Sequence, residues 1–243
     1  MKTEIYNLII LDESGSMSPV EKQTIDGCNE TINTIRSAQE QFADTQDHFV
    51  SIYVFQDNPK RPSHYIVKNA PVGKVRNITG DDYQPWGSTP LYDAVGSTLT
   101  DLKLTADKKA LAIGAVTIIT DGYENASRLY TREKVARMID ALKETGWTFN
   151  FIGANIDAKA TARSLSIDEE NALQFDNDVE GTKEMFVNEN KARMAYYCRS
   201  DMAMKMMTAE EEDEAFGEMP APTRIEKARS KMKDAGKNYF DEL

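Results

Sequence analysis

The chain has 243 residues and carries 29 lysines and arginines against 40 aspartates and glutamates, which gives a formal net charge of −11. An acidic surface repels nucleic-acid phosphates and anionic lipid, and no apolar run approaches the roughly 18 residues needed to cross a bilayer. The composition therefore argues against nucleic acid and membrane as partners. It suits cations and basic groups, and its 40% of apolar residues can build one good-sized core.

The amino terminus and the cysteines indicate the compartment. Residues 1–5 lack the apolar segment of a signal peptide. Cys28 and Cys198 are far apart and fall in helical patterns, which favours unpaired, buried thiols in a reducing environment. The two histidines, His48 and His64, are expected at the surface beside strands, and a zinc site would need more soft ligands than these residues supply. We therefore expect a cytoplasmic protein without zinc.

The first half of the chain opens with a strand. Residues 5–11 (IYNLIIL) form a continuous apolar run, and the capping pattern of residues 18–21 then predicts the start of a helix. Strands are predicted over 49–55 and 64–72. The loop between them is too short for a helical crossover, so these two strands should pair antiparallel.

The second half continues the alternation of strands and helices. Its predicted segments are a helix over 90–106, a strand over 112–120, a helix over 131–145, a strand over 147–154, a short helix over 157–165, a short strand over 172–175 and a helix over 179–197. Because the strands are continuously apolar, the pattern predicts a mostly parallel sheet that is covered on both faces. This is a doubly wound α/β fold with one antiparallel edge strand.

The predicted domain covers residues 1–199, and residues 200–243 form a C-terminal extension of different composition. The extension is rich in methionine, then acidic, and turns basic and helix-prone after Pro220 and Pro222. We expect it to be helical or partly ordered, with a short helix near 223–238. A helix that docks on a partner is the alternative.

Two aspartates follow strands that should be neighbours. When strands are ordered 3-2-1-4, the first and fourth lie side by side where the order reverses, and ligands bind beyond their carboxyl ends. Asp12 ends the first strand and Asp121 ends the fourth, while Ser14, Ser16 and Thr89 supply hydroxyls nearby. All five are hard oxygen ligands, so the sequence predicts a Mg²⁺ site, or alternatively a Mn²⁺ site.

Helix starts near Ser18 and Thr89 add a constraint on this site. Helix N termini carry partial positive charge, which disfavours a cation but favours an anion. A cation held here should therefore retain affinity for one more carboxylate, supplied by a partner. Each loop taken singly also has a structural interpretation, because Asp12 could turn the chain, Thr89 could cap a helix and Asp121 could form a turn.

Three segments resemble the motifs of the von Willebrand factor type A domain family. DESGSM (12–17) is similar to its D-x-S-x-S motif, GSTPLYDA (87–94) to its threonine loop and IITDGYEN (118–125) to its second aspartate loop. The segments occur in family order, and the resemblance spans roughly residues 3–198. It implies a Rossmann-like fold with a metal-ion-dependent adhesion site.

The resemblance also implies roles for the five residues. Ser14, Ser16 and Thr89 are expected to contact the metal through their hydroxyls. Asp12 and Asp121 are expected to act directly or through water, and the open coordination position takes a Glu or Asp of a partner protein.

Within the family, the chain is similar to stand-alone intracellular bacterial members of the tellurite-resistance-associated type. This narrower resemblance implies an AAA+ ATPase or a stress-response complex as the partner. Trp86, Tyr92 and Tyr123 lie beside the site and either shape a partner surface or pack over the loops. Glu13 stands between motif positions and has no assigned role.

Three classes of function remain open: a metal-dependent protein-binding module, a metal-dependent phosphoesterase using the same carboxylates, and a structural domain. A haloacid-dehalogenase pattern needs an aspartate where Ser14 stands. A G-x-S-x-G nucleophile elbow needs glycines where Asp12 and Ser16 stand. No phosphate-binding G-x-x-x-x-G-K-[ST] frame surrounds Lys74. We therefore expect no catalytic residues and no enzyme activity.

Overall fold

Six strands form one sheet in the order β3-β2-β1-β4-β5-β6 in the computed structural model, which describes residues 2–213 and 221–241. The strands are β1 (Thr3–Asp12), β2 (Gln46–Phe55), β3 (His64–Pro71), β4 (Ala112–Thr120), β5 (Thr148–Ala154) and β6 (Ala172–Phe175). Neighbouring strands run parallel except β2 and β3, which are antiparallel. The predicted doubly wound α/β sheet with an antiparallel edge strand is confirmed.

Helices cover the sheet. They are α1 (Glu21–Gln41), α2 (Leu91–Ala106), α3 (Arg132–Lys143), α4 (Ala158–Ser164), α5 (Val179–Asp213) and α6 (Ala221–Ala235). Helix α1 packs against α5, and α2 packs against α3. Strands β4 and β5 are buried along their whole length, which requires cover on both faces and explains their continuous apolar sequences. None of the described helices combines the length and apolar character that a membrane-spanning helix needs.

The first helix starts differently from the prediction. A short 3₁₀ helix, Gly15–Val20, precedes α1. The hydroxyl of Ser18 donates to the carbonyl of Gly15 at 2.9 Å, and no side chain caps α1. The predicted capping box is therefore wrong, because the chain bends tightly through the serine-rich turn before the α-helix begins.

Helix α5 is longer than predicted. It continues past residue 197 and also crosses residue 199, where the sequence predicted the domain to end. Arg199, in the middle of α5, donates to the carbonyl of Ala235 at 3.1 Å. The division at residue 199 stays a prediction. Residues 214–220 of the extension, which include Pro220, lie outside the described residues, whereas α6 agrees with the helix predicted near 223–238.

The residues after α6 pack against the sheet. The carbonyl of Gly236 accepts hydrogen bonds from Thr148 Oγ1 at 3.2 Å and from Asn171 Nδ2 at 3.0 Å. The backbone N–H of Tyr239 donates to Asn171 Oδ1 at 3.0 Å, and both Tyr239 and Phe240 are buried. The C-terminal segment therefore completes the core beside β5 and β6.

A buried polar cluster, which we call the Arg193 cluster, joins α5 to the sheet. Its members are Asn7, Thr117, Glu189, Arg193 and Tyr197. The guanidinium of Arg193 donates to Glu189 Oε1 at 2.5 Å and to Thr117 Oγ1 at 2.9 Å. Tyr197 donates from its hydroxyl to Asn7 Oδ1 at 2.5 Å. These bonds satisfy polar groups that would otherwise destabilise the fold.

His48 is not at the surface as predicted but is buried in β2 next to this cluster. Its Nε2 lies 2.9 Å from Gln46 Oε1, and its ring packs edge-on against Tyr197. Burial, together with the positive charge of Arg193, lowers the pKa of His48 to about 3. The two cysteines are unpaired as expected, with Cys28 buried and Cys198 half-buried.

Candidate metal centre

Asp12 is held in place from both sides at the carboxyl end of β1. Its Oδ1 accepts a hydrogen bond from the backbone N–H of Ser14 at 2.7 Å, and its Oδ2 accepts one from Thr120 Oγ1 at 2.5 Å. Its backbone carbonyl accepts from the buried Tyr83 hydroxyl at 2.7 Å. These bonds fix the orientation of a carboxylate that is fully buried.

Asp121 follows the last residue of β4 and contacts the serine-containing turn that follows β1. Its Oδ1 accepts a hydrogen bond from Ser16 Oγ at 2.6 Å, and the hydroxyls of Ser16 and Ser14 lie 3.1 Å apart. Four of the five predicted site residues, Asp12, Ser14, Ser16 and Asp121, are therefore brought together by direct hydrogen bonds. The topology predicted this juxtaposition, because β1 and β4 are adjacent parallel strands.

Thr89 lies beside the second aspartate loop. Its backbone N–H donates to Asn125 Oδ1 at 2.8 Å, and the N–H of Asn125 donates back to the carbonyl of Thr89 at 3.1 Å. A Cβ added at Gly122 would lie 3.6 Å from Thr89 Oγ1, so the hydroxyl faces the residue next to Asp121. Thr89 does not cap α2, whose N-cap position is Pro90.

Glu13 has a role that the sequence did not reveal. Its buried carboxylate accepts hydrogen bonds from Gln56 Nε2 at 2.7 Å, from the backbone N–H of Gln84 at 2.6 Å and from the guanidinium of Arg61 at 3.2 Å. Its carbonyl accepts from the N–H of Trp86 at 2.8 Å. Glu13 therefore anchors the serine-containing turn to the loop that leads to Thr89.

Asn177 is a second residue at the site that the sequence did not reveal. It lies in the turn between β6 and α5, and its Nδ2 donates to Asp121 Oδ2 at 2.6 Å. The same nitrogen lies 3.4 Å from the carbonyl oxygen of Ser16. A fourth segment of the chain therefore reaches the site. The one available signal was that residue 177 follows the last strand at the carboxyl edge of the sheet.

The electrostatics of the site favour a cation. Burial raises the pKa of Asp12 to about 7; hydrogen bonds from Thr120 and Ser14 oppose this rise, and the negative charge of Asp121 adds to it. Burial also raises the pKa of Asp121, against hydrogen bonds from Ser16 and Asn177. A divalent cation beside these two carboxylates would offset the cost of burying their charges.

The donor set fits a hard divalent ion. Within the described part of the chain, no group of three or more histidines, cysteines, aspartates or glutamates lies together as a metal site. The ligands on offer are instead two carboxylates and the hydroxyls of Ser14, Ser16 and Thr89. Oxygen donors of this kind suit Mg²⁺ and Mn²⁺, whereas structural zinc sites use sulfur and nitrogen.

Exposed aromatic side chains flank the site. Trp86 is 62% exposed and belongs to the loop before Thr89, and Tyr123 is 61% exposed and follows Asp121 by two positions. The ring of Tyr123 lines a groove together with Tyr92. Exposed rings beside a polar site are typical of protein-binding surfaces.

No family model matches this sequence, and no curated protein matches it. Solved structures nevertheless share the fold. The open conformation of the pilus adhesin SpaC from Lactobacillus rhamnosus GG has a TM-score of 0.58 at 11% identity and covers 81% of this chain. Proximal thread matrix protein 1 from the mussel byssus, with a zinc occupied MIDAS motif, has a TM-score of 0.54 at 12% identity and covers 79% of this chain. The SpRpn10 VWA domain has a TM-score of 0.50 at 11% identity and covers 76% of this chain.

The doubly wound sheet, with oxygen donors where the strand order reverses, defines an α/β protein of the Rossmann-like class. More narrowly, the fold is that of von Willebrand factor type A domains, as the resemblance in sequence implied. The chain covers 94% of the SpRpn10 domain but 30% of the pilus adhesin chain and 46% of the mussel protein chain.

Proposed function

We propose that the chain is a metal-dependent protein-binding module that uses Mg²⁺ or Mn²⁺. The proposed ligands are Asp12, Ser14, Ser16, Thr89 and Asp121. One observation carries the proposal: the 2.6 Å contact between Ser16 Oγ and Asp121 Oδ1, which joins oxygen donors from two distant loops. The zinc occupied MIDAS motif of the mussel protein supports divalent metal binding by this fold.

The proposed ligands have different roles in holding the ion. Ser16 can point an oxygen lone pair at an ion while its hydroxyl donates a hydrogen bond to Asp121, so Asp121 can act through Ser16. Asp12 is oriented by Ser14 and Thr120. When bound, the ion supplies an electrophilic position that accepts a Glu or Asp of the partner protein.

Binding is favoured over catalysis by the state of Asp12. Hydrogen bonds to both Asp12 oxygens weaken the carboxylate as a nucleophile, but they leave each oxygen a lone pair for a metal ion. We therefore propose that the chain is not an enzyme. A metal-dependent phosphoesterase using the same carboxylates is the alternative.

The partner is proposed to be a protein with an exposed acidic residue and apolar neighbours that fit Trp86 and Tyr123. The narrower resemblance to tellurite-resistance-associated proteins predicts an AAA+ ATPase or a stress-response complex as the partner. This identification stays a prediction. The net charge of −11 argues against nucleic acid and membrane. Two unpaired cysteines fit a reducing compartment such as the bacterial cytoplasm.

The test compares two neighbouring serines. Ser16→Ala removes a proposed ligand, whereas Ser18→Ala removes an exposed hydroxyl that bonds only the carbonyl of Gly15 among its hydrogen-bond partners in the described chain. Mg²⁺ at about 100 times its Kd should stabilise the wild type and Ser18→Ala by about 2.7 kcal/mol. Ser16→Ala should show a much smaller rise in Tm.

Partner capture is measured in the same variants with Mg²⁺ and with EDTA. Retention in Mg²⁺ and loss in EDTA and in Ser16→Ala are expected. A wild type whose Tm does not respond to Mg²⁺ or Mn²⁺ contradicts the proposal. Metal-dependent hydrolysis of p-nitrophenyl phosphate that disappears in Ser16→Ala would favour the phosphoesterase instead.

A further inference from the structure

We propose that Asn177 is a positioning residue that keeps Asp121 from binding the metal ion directly. In this role it leaves the ion with unneutralised charge, which strengthens capture of a partner's carboxylate. The inference rests on the proposed function, since it concerns the same site. It adds a residue that lies outside the three motif segments.

The hydrogen bonds of Asp121 define the role. Ser16 Oγ donates to Oδ1 at 2.6 Å, and Asn177 Nδ2 donates to Oδ2 at 2.6 Å. The bond from Ser16 is compatible with metal binding, because a hydroxyl can donate its proton and still offer a lone pair. The bond from Asn177 opposes direct metal binding by Oδ2, because it takes one lone pair of that oxygen and places the partial positive charge of the N–H beside it. Both bonds are charge-assisted and therefore strong.

The orientation of the Asn177 amide is dictated by its surroundings. With the amide rotated by 180°, Oδ1 would face the carboxylate of Asp121, and two acceptors would repel each other. In the observed orientation Oδ1 is buried and has no hydrogen-bond partner in the described part of the chain. An unpaired buried acceptor disfavours the folded state, so it offsets part of the stability that the bond from Asn177 to Asp121 contributes.

Hydrogen bonds and close packing of the chain constrain the turn that carries Asn177. The N–H of Asp178 donates to the carbonyl of Asp176 at 2.8 Å, and the N–H of Gly181 donates to Asp178 Oδ1 at 2.8 Å. A Cβ added at Gly181 would overlap Asp176, so the chain passes very close to itself here. The amide of Asn177 is therefore held against Asp121 before any ion arrives.

Charge neutralisation connects this geometry to partner binding. Two directly bound carboxylates would cancel the charge of a divalent ion and weaken its attraction for a third. When Asp121 contacts the ion only through Ser16, a larger share of the positive charge of the ion remains available to the carboxylate of a partner. Releasing Asp121 should thus strengthen metal binding and weaken carboxylate binding.

The test uses Asn177→Ala, with Asn190→Ala as the matched control. Asn190 lies in α5 and also has a buried Oδ1 without a hydrogen-bond partner in the described residues, but it has no contact with the site among the hydrogen bonds described. Mn²⁺ affinity is measured by electron paramagnetic resonance. Acetate affinity of the Mn²⁺-loaded protein is measured by water-proton relaxation, because acetate displaces metal-bound water.

We expect Asn177→Ala to bind Mn²⁺ about tenfold more tightly and acetate about tenfold more weakly, the size of effect that a hydrogen bond to a charged group commonly has. Asn190→Ala should change neither affinity. Asn177→Leu keeps the approximate shape without the donor, and it should behave as Asn177→Ala does. Opposite signs for the two affinities are not expected from a general loosening of the site.

The outcomes separate the two proposals. Wild-type protein that fails to bind Mn²⁺ contradicts the proposed function. Wild-type binding combined with weaker or unchanged Mn²⁺ affinity in the folded Asn177 variants leaves the function standing and overturns the role of Asn177. Weaker Mn²⁺ binding would identify Asn177 as a ligand or a structural support instead.

Discussion

Thr120 Oγ1 donates a 2.5 Å hydrogen bond to Asp12 Oδ2 and thereby joins the carboxyl ends of β4 and β1. The same oxygen accepts a hydrogen bond from the N–H of Gly122 at 3.2 Å. One hydroxyl therefore links the first aspartate to the loop that carries the second. Its position at the end of a buried strand makes it a support for the site rather than one of the proposed ligands.

Thr120→Val should destabilise the protein and weaken Mn²⁺ binding. Valine has nearly the same shape but leaves Asp12 Oδ2 without its donor, and a hydrogen bond to a charged group contributes about 1.5–3 kcal/mol. Urea unfolding gives the change in stability. Thr98→Val is the control, because that buried hydroxyl donates only within its own helix, to the carbonyl of Ala94 at 2.7 Å and more weakly to that of Val95. Equal losses in both variants would contradict a special role for Thr120.

Gly27→Ala should be destabilising although alanine is the better helix former. A Cβ at Gly27 would overlap the ring of Phe186, so α1 and α5 are in contact at this point. Overpacking of this kind costs about 1–3 kcal/mol, which exceeds the gain of up to about 1 kcal/mol in helix propensity. Thermal and urea unfolding measure the net effect.

Gly73→Ala provides the comparison, because a Cβ there meets nothing within 4 Å. It should leave stability nearly unchanged. Adding Phe186→Leu to Gly27→Ala should recover part of the loss by making room for the methyl group. If the loss of unfolding free energy in the double variant exceeds the sum of the losses in the two single variants, close packing is not the cause.

Arg193→Met should destabilise the protein by about 3–5 kcal/mol, because it leaves the carboxylate of Glu189 buried without its cation. Both side chains of the pair are buried, and their closest atoms are 2.5 Å apart. Replacing both residues, Arg193→Met with Glu189→Leu, removes the unpaired charge. The double variant should therefore be more stable than Arg193→Met alone.

A surface pair calibrates this experiment. Lys103 and Asp107 lie 2.5 Å apart with both side chains more than half exposed. Lys103→Met should change stability by less than about 1 kcal/mol, because exposed ion pairs contribute little. A double Arg193 and Glu189 variant that is no more stable than Arg193→Met would show that the other members of the Arg193 cluster, not the unpaired charge, dominate the loss.

The contribution of His48 to stability should fall as pH decreases below about 6.5, the usual pKa of a histidine. The native pKa of His48 is lowered to about 3 by burial and by the charge of Arg193, so between these values the unfolded state binds more protons than the native state. One such group contributes a slope of up to about 1.4 kcal/mol per pH unit. The contribution is fully present above the unfolded pKa and is lost as pH falls toward the native pKa.

Urea unfolding of the wild type and of His48→Gln from pH 4 to 8 measures this slope. The difference between the two curves cancels the contribution of Asp12, whose raised pKa acts in the opposite direction. Ser51→Ala, which alters a buried hydroxyl in the same strand, should keep the wild-type slope. Parallel curves for the wild type and His48→Gln would mean that His48 does not titrate as its burial requires.

Much of the architecture follows from local sequence. The strands at 112–120 and 172–175 have the predicted bounds. The first of them is buried along its whole length, and a buried parallel strand has a continuously apolar sequence that ends at the first polar turn. The meeting of Asp12 with Asp121 also follows from the sequence, since it needs only the strand order and the rule that ligands bind where that order reverses. The length of α5 does not follow, because the Met-rich segment has no helical periodicity that marks where the helix ends.

Other features depend on partners that lie far along the chain. Hydrogen bonds join Glu13 to Arg61, Thr120 to Asp12 and Asn177 to Asp121. The spacing of these residues in the sequence does not predict the contacts. His48 has the polar character of a surface residue and is buried because Gln46 and Asn7 satisfy its ring nitrogens. Periodicity records which face of an element is apolar. Hydrogen-bond partners are selected only when the elements pack, so the tertiary structure alone decided which polar side chains support the five site residues.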